Sequence, residues 1–145
     1  MTAFTESVVE QAALAWLEAL GYTIAAGPSI APGEPGQERQ SYADVVLEGR
    51  LRDALARLNP TVSREGLDEA FRKLPRISSA QPVDASHTLH DYLVHGVSVE
   101  YLRADGTIGY DPVRVVDFDD VDHNDWLVVN QLTVTEGGHT RRPDV

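Results

Sequence analysis

The sequence predicts an α+β domain in which a few N-terminal helices pack on a mostly antiparallel sheet. Apolar residues recur at helical spacing through much of residues 1–96. From Val97 onward, β-branched and aromatic runs alternate with turn residues, which is typical of antiparallel strands. We therefore expect a single domain over residues 1–145, helical in 1–96 and sheet-forming in 97–145.

Composition limits the kinds of function. The 145 residues contain no cysteine, which excludes disulfides, thiol catalysis and cysteine-based zinc sites and is compatible with a cytoplasmic protein. The N-terminus lacks the positive region of a signal peptide, and no apolar run is long enough to span a membrane. The formal net charge of -11 disfavours simple DNA binding by the free domain, because the DNA phosphates attract cationic side chains and repel acidic ones.

The first helix is predicted from Thr5, its N-cap, with Phe4 and Val9 as a hydrophobic staple and Gly21 as its stop. Its apolar face must dock on another element, and it consists of Val9, Ala12, Ala13, Trp16, Leu17 and Leu20. The stretch AAGPSIAPGEPGQERQS, residues 25–41, holds three prolines and three glycines, so we expect no regular structure there.

Three more helices follow in the prediction. Ser41, with Asp44 three residues later, is read as the start of a helix that ends before Asn59. Ser63 caps the next helix, which Pro75 closes. The last is the short segment DASHTLHDYLVHG, with Leu89, Tyr92 and Leu93 facing inward and Gly96 as its stop.

The predicted strands are VSVEYL, PVRVVDF and WLVVNQLTV, with a turn at Asp105 and Gly106 between the first two. The chain closes on RRPDV, and we expect Val145 to open one more strand. A Pro-Asp entering a strand can place a carboxylate where phosphodiester hydrolysis needs a divalent cation, because charge builds on phosphate oxygens in the transition state. Asp144 is therefore a candidate Mg²⁺ ligand, although on spacing alone such a dipeptide is more often a simple turn.

Five blocks of the chain strengthen the interpretation of Asp144 as a metal ligand. They are FTESVVEQAALAWLEALGY, RLRDALARLNP, LHDYLVHGVSVEY, NDWLVVNQLTV and RRPDV. In this order and spacing the chain resembles the N-terminal region of the restriction (R, or motor) subunit of type I restriction-modification enzymes. The resemblance covers nearly all of the chain, and NDWLVVNQLTV followed by RRPDV is its most specific part.

The resemblance implies a nuclease domain of the PD-(D/E)xK class with a partial restriction-endonuclease-like fold. Asp144 matches the catalytic, Mg²⁺-binding Asp of that class, and Glu10, or less favourably Glu6, is the candidate second metal ligand from the first helix. It also implies ATP-dependent translocase domains in the full-length protein, and DNA and the specificity and modification subunits as partners.

The chain departs from the family pattern after Val145, where the Glu-x-Lys strand would follow. The only lysine, Lys73, lies in a predicted helix, and no phosphate-binding loop of the G-x-x-x-x-G-K-[ST] type is present, so the sequence offers no ATP site. We therefore expect this chain alone to be catalytically inactive. Two further interpretations stay open: a non-catalytic acidic module that docks on the other subunits, and a truncated remnant.

Several polar residues have alternative interpretations. Asn130 and Gln131 interrupt an apolar strand and serve either a structural network or the surroundings of the Asp144 metal. Arg141 and Arg142 either contact a phosphate or are simply solvated. His87 and His90 have a spacing that zinc tolerates but lack a third ligand. The run DFDDVDHND lacks the glycine and glutamate of a calcium loop and is read as a solvated turn.

Overall fold

The computed structural model describes residues 5–74 and 81–145, and these residues form the predicted α+β fold. The helices are α1 Glu6–Ala19, α2 Glu48–Leu58, α3 Arg64–Lys73 and α4 Pro82–His95. The strands are β1 Thr23–Ala26, β2 Val97–Leu102, β3 Ile108–Val113, β4 Leu127–Asn130, β5 Val134–Glu136 and β6 His139–Arg141. No helix in the described part of the chain is long and apolar enough to cross a membrane.

Two compact units divide the chain. The terminal unit comprises Met1–Glu48 and Asp125–Val145, and the central unit comprises Gly49–Asn124. The central unit is continuous in sequence and separates the two segments of the terminal unit along the chain. The single-domain interpretation of residues 1–145 stays a prediction.

The central unit is built around the β2–β3 hairpin. Its strands pair antiparallel, from Val97 opposite Val113 to Leu102 opposite Ile108. Alternate residues of β2 are buried, as expected for a strand with one face on a core. That core consists of Leu55, Ala70, Phe71, Val97, Val99, Tyr101 and Val113.

The helices of the central unit follow the sequence closely. The Ser63 hydroxyl accepts a hydrogen bond from the Gly66 backbone N–H at 3.2 Å, which confirms the predicted cap of α3. Gly96 ends α4 with a φ of 82°, as predicted. Leu89 was predicted to face inward and is exposed instead. Pro75, the predicted stop of the third helix, lies outside the described residues.

The terminal unit contains a parallel strand pair that the sequence did not indicate. β1 pairs with β4, from Thr23 opposite Leu127 to Ala26 opposite Asn130. Two of the three strand pairs in the described residues are antiparallel, as predicted, but β1 lies outside residues 97–145, where the sheet was expected. A four-residue strand is too short to show the two-residue period of a strand, and the partner of β1 is distant in sequence. No local sequence pattern therefore predicts β1.

The predicted strand WLVVNQLTV is divided in the structure. Gln131 has a φ of 54° and ends β4, and β5 begins only at Val134. β5 then pairs antiparallel with β6. Residues 142–145 have no regular structure, and the strand expected to open at Val145 stays a prediction. PVRVVDF likewise contributes only Pro112 and Val113 to β3.

The glycine- and proline-rich stretch is more ordered than predicted. Ala25 and Ala26 belong to β1, and Gly27–Ile30 forms a short 3-10 helix. Ser41 and Asp44 form a local turn instead of starting a helix: the Asp44 carboxylate accepts from the backbone N–H groups of Gln40 at 3.0 Å and Ser41 at 2.9 Å. The second helix begins later, at Glu48, because these side chains satisfy a turn as readily as a helix start.

The first helix forms where predicted, but much of its apolar stripe is uncovered. Trp16 and Leu20 remain 73% and 76% exposed, and Val9 is also exposed. The side of α1 that is half-buried consists of Glu10, Ala13, Leu14 and Leu17. We expected the apolar face of α1 to pack on another element, and this was wrong for Val9, Trp16 and Leu20. Phe4, predicted to form a hydrophobic staple, lies outside the described residues, and Thr5 makes no side-chain cap bond.

Candidate functional site

Carboxylates from α1 lie beside the end of β4 in the terminal unit. Glu6 and Glu10 are four residues apart, so the helix presents them on one side, one turn from each other. One carboxylate oxygen of Glu10, Oε1, accepts hydrogen bonds from Asn130 Nδ2 at 2.9 Å and from Gln131 Nε2 at 3.0 Å. The two amides that interrupt the apolar strand are thus both paired, as burial of polar groups requires.

Gln131 connects Glu10 to Asp144. Its Nε2 donates to Asp144 Oδ1 at 3.0 Å as well as to Glu10, and its backbone N–H donates to the Asp144 carbonyl oxygen at 3.1 Å. The left-handed backbone of Gln131 is uncommon for a residue with a side chain. It ends β4 and holds Asp144 by both its side chain and its backbone.

Gly27 makes room for this conformation. A Cβ on Gly27 would stand 2.7 Å from the Gln131 carbonyl carbon and 2.8 Å from Leu132 Cα, distances that real Cβ atoms do not tolerate. Both contacts are with backbone, which cannot swing aside as a flexible side chain could. Gly27 is buried at the start of the 3-10 helix, so a residue without a side chain is required where that helix meets the end of β4.

Negative charge is concentrated at this site. The Glu6 carboxyl is within hydrogen-bond range of Asp144, and this bond raises the pKa of Glu6 above its ordinary value. Repulsion from the Asp144 charge raises the pKa further, followed by smaller effects of desolvation and of Glu10. A bound cation would relieve the same repulsion that a proton relieves.

The sequence prediction brought together Asp144, Glu10, Glu6, Asn130 and Gln131, and all five lie in this cluster. Arg141, the last residue of β6, and Arg142 are exposed. Their assigned functional roles stay predictions. The residues that the structure describes include no group of three or more His, Cys, Asp or Glu side chains arranged to hold a metal ion.

Arg39 is a residue of this unit that sequence reasoning missed. Its side chain is only 2% exposed, and its guanidinium donates to the Thr133 and Tyr42 carbonyl oxygens, both at 2.8 Å. The Tyr42 carbonyl also accepts from the Thr135 N–H at 2.9 Å. Arg39 Nε is buried without a partner. An arginine in a proline-rich stretch gives no sequence signal for such burial.

The other candidates are structural or isolated. His87 and His90 line a shallow cavity of about 580 Å³ on α4, together with Pro82, Val83 and Ser86. Of the five aspartates in DFDDVDHND, Asp117 is buried and organises the turn by accepting from the Asp119 and Asp120 backbone N–H groups at 3.1 Å. This arrangement is that of a turn held by its first aspartate.

Comparison with known proteins gives the same family as the motifs. A family model described as Type I restriction enzyme R protein N terminus matches residues 3–145. The chain is 30% identical over 141 residues to a Methanocaldococcus jannaschii protein provisionally named as the type I restriction enzyme MjaIXP endonuclease subunit. It is also 30% identical over 141 residues to the type I restriction enzyme HindI endonuclease subunit of Haemophilus influenzae.

These alignments cover 95% and 97% of this chain but 13% of each relative, so the chain spans about an eighth of their length. No solved structure matches the chain. The family model covers nearly the whole chain, including α1, β4 and the segment that carries Asp144. The chain therefore belongs to the family of type I restriction enzyme R protein N-terminal regions.

Proposed function

We propose that the chain supplies part of the Mg²⁺ site of an endonuclease that hydrolyses phosphodiester bonds in DNA. The observation that carries the proposal is the link from Glu10 through Gln131 to Asp144, which holds two carboxylates from distant parts of the chain at one point. The names of the relatives, which are endonuclease subunits, agree with it.

The donor chemistry of the cluster fits Mg²⁺. This ion prefers oxygen ligands, keeps several waters and is commonly held by one or two carboxylates plus substrate phosphate oxygens. Asp144 and Glu10 would be those carboxylates, with Glu6 hydrogen-bonded to Asp144 beside them. Once bound, the ion would supply charge stabilisation to the phosphate in the transition state.

The amides of Asn130 and Gln131 would act by orienting the carboxylates. Each donates to the same oxygen of Glu10, which leaves Glu10 Oε2 available for a ligand or water. Hydrogen bonds of this type fix the geometry of metal-binding side chains. In this proposal Asn130 and Gln131 position the ligands and do not themselves bind the ion.

In a longer protein, this site would serve an ATP-driven complex with specificity and modification subunits that acts on DNA in the cytoplasm. The present 145 residues would not cleave DNA alone, because the lysine that such chemistry needs near the metal is not in the terminal unit. Their one lysine, Lys73, belongs to the central unit, where Nζ donates to the Ser98 carbonyl at 2.8 Å. A lysine that positions water is thus missing from the terminal unit.

Paramagnetic Mn²⁺, which replaces Mg²⁺ at oxygen sites, tests the metal proposal directly. Titrated into the chain, it should first broaden the NMR signals of Glu10, Gln131 and Asp144, and added Mg²⁺ should restore them. Asp144→Asn and Glu10→Gln should each weaken the apparent affinity at least about ten-fold, because each removes a ligand charge but keeps an oxygen acceptor for Gln131.

Asp53→Asn is the matched control, since it removes one exposed carboxylate from α2 in the central unit. Broadening that begins elsewhere, or equal loss of affinity in all three variants, would refute the proposed metal site.

A non-catalytic docking module is the second candidate function. The exposed apolar residues Val9, Trp16 and Leu20 on α1 favour it, because such side chains are commonly buried against a partner. The experiment is size-exclusion chromatography with the family's modification and specificity subunits. Co-elution that Trp16→Ser abolishes would support docking through α1, and separate elution of the wild-type chain would exclude it.

A further inference from the structure

The β5–β6 hairpin carries the exposed cationic side chains of the terminal unit. Its strands pair with Val134 opposite Arg141 and Glu136 opposite His139. Because side chains alternate across a strand, His139 and Arg141 share one face. Gly137 and Gly138 form the turn with φ values of 55° and 80°, a backbone that glycine adopts easily and that leaves the tip unobstructed.

The base of this hairpin is held on both sides. At its neck, Gln131 binds Asp144 through a backbone and a side-chain hydrogen bond, which closes the segment between them. Along β5, the Thr135 N–H donates to the Tyr42 carbonyl and Arg39 donates to the Thr133 carbonyl. The hairpin thus projects from fixed points and starts at the same residues that form the carboxylate cluster.

The charge distribution makes the hairpin distinctive. The terminal unit contains ten acidic residues and only three cationic side chains, Arg39, Arg141 and Arg142. Arg39 is buried, so the exposed cationic side chains of this unit are Arg141 and Arg142. Both lie within three residues of Asp144 in the sequence. A polyanion approaching this unit is repelled by most of it and meets cations only here.

We propose that the β5–β6 hairpin contacts the phosphate backbone of duplex DNA and holds it next to the Asp144 cluster. Arg141 and Arg142 supply charged donors and the glycine turn offers backbone N–H groups, both of which are common phosphate-contacting groups. This inference rests on the proposed nuclease function, since it assigns the DNA contact of that same site. The contacts are to the backbone and carry no sequence preference.

Binding of a fluorescently labelled duplex to the 145-residue chain, followed by anisotropy at low ionic strength in EDTA, tests the hairpin without cleavage. Arg141→Gln and Arg142→Gln should each weaken binding about three- to ten-fold and lower the slope of log affinity against log salt by about one. Arg64→Gln, which removes an exposed arginine from α3, should change neither quantity.

A second pair of variants removes negative charge instead of positive charge. Glu136→Gln removes a negative charge from the face that carries Arg141 and should tighten binding, whereas Glu65→Gln, exposed on α3, should not. All five substituted positions are exposed, so circular dichroism should show an unchanged fold.

Absence of wild-type binding, or equal effects of hairpin and α3 variants, would overturn the inference. The Mn²⁺ titration on the same samples keeps the two proposals apart. Loss of duplex binding in Arg141→Gln with intact Mn²⁺ broadening supports the hairpin as an element distinct from the metal ligands. Loss of Mn²⁺ broadening in the same variant would instead show that the substitution disrupts the cluster, and the assignment of a separate DNA contact would fall.

Discussion

The backbone of Gln131 occupies the space that a side chain on Gly27 would need. Gly27→Ala should therefore destabilise the chain by about 1–3 kcal/mol, as overpacking against backbone does. Gly49→Ala is the control, because a Cβ at Gly49 meets nothing within 4 Å and alanine favours helix α2. Urea unfolding measures both. Equal stability of the two variants would mean that the close approach of Gly27 and Gln131 is not maintained in solution.

Gln131→Glu should place a further carboxylate against Glu10 and Asp144. The amide donor that links them is lost and repulsion replaces it, so the free energy of unfolding without divalent cations should fall by about 1–3 kcal/mol. Mg²⁺ should restore part of the loss. Gln37→Glu, the same change at an exposed position of the terminal unit, should do neither. A melting temperature of Gln131→Glu that is unaffected by Mg²⁺ would contradict this account.

Arg39→Ala should cost about 2–5 kcal/mol, because a buried side chain is truncated, the Thr133 carbonyl loses this donor and the Tyr42 carbonyl keeps only the Thr135 N–H. Arg39→Lys should recover only part of this, since an ammonium lacks the planar fork that reaches Thr133 and Tyr42 together. Arg64→Ala at an exposed site is the control and should change stability by less than about 0.5 kcal/mol. Chemical unfolding compares the three, and a lysine variant as stable as the wild type would show that the fork is not used.

Asp117 should make the stability of the central unit depend on pH in the acid range. The Asp120 backbone N–H, followed by the His123 side chain, lowers the pKa of Asp117 from 3.8 to about 2. A depressed pKa stabilises the fold above the unfolded-state value, and this contribution is lost as the pH falls from about 4 towards 2. Unfolding measured across this range should show a weaker pH dependence in Asp117→Asn. Asp122→Asn, from the same acidic run, should keep the wild-type profile.

The chain alone should leave supercoiled plasmid intact in Mg²⁺. Its terminal unit has no lysine, so the role of a lysine that positions or activates water is unfilled in the proposed chemistry. Gel electrophoresis of plasmid incubated with the purified chain measures this. Cleavage by the wild-type chain that Asp144→Ala lacks would show that the described carboxylates suffice.

The sequence predicted the elements whose signals are local. The cap at Ser63 and the stop at Gly96 depend on residues within one or two turns of the helix ends, and both were correct. The strand at Thr23–Ala26 was missed because its hydrogen-bonding partner, β4, is distant in sequence. The helix start predicted at Ser41 and Asp44 was wrong because the same side chains that cap helices also close turns.

The cluster of site residues was predicted from motifs, and its connections were not. Asp144 and Glu10 were proposed from resemblance, but the bridge between them depends on the left-handed backbone of Gln131, which no spacing rule indicates. That backbone in turn depends on Gly27, whose importance emerges only when the parallel pair β1–β4 brings it to Gln131. The hydrogen-bonded link between Glu10 and Asp144 therefore depends on long-range packing, which local sequence patterns do not predict.

The parallel pairing of β1 with β4 also governs how this protein acquires its structure. The two strands can meet only after the chain between Ala26 and Leu127 has been brought back on itself, and closing a loop of that length carries an entropic cost. The β2–β3 hairpin and α3 are near neighbours in sequence and face no such delay. Refolding should therefore proceed in two steps: the central unit collapses early, and the carboxylate cluster assembles last.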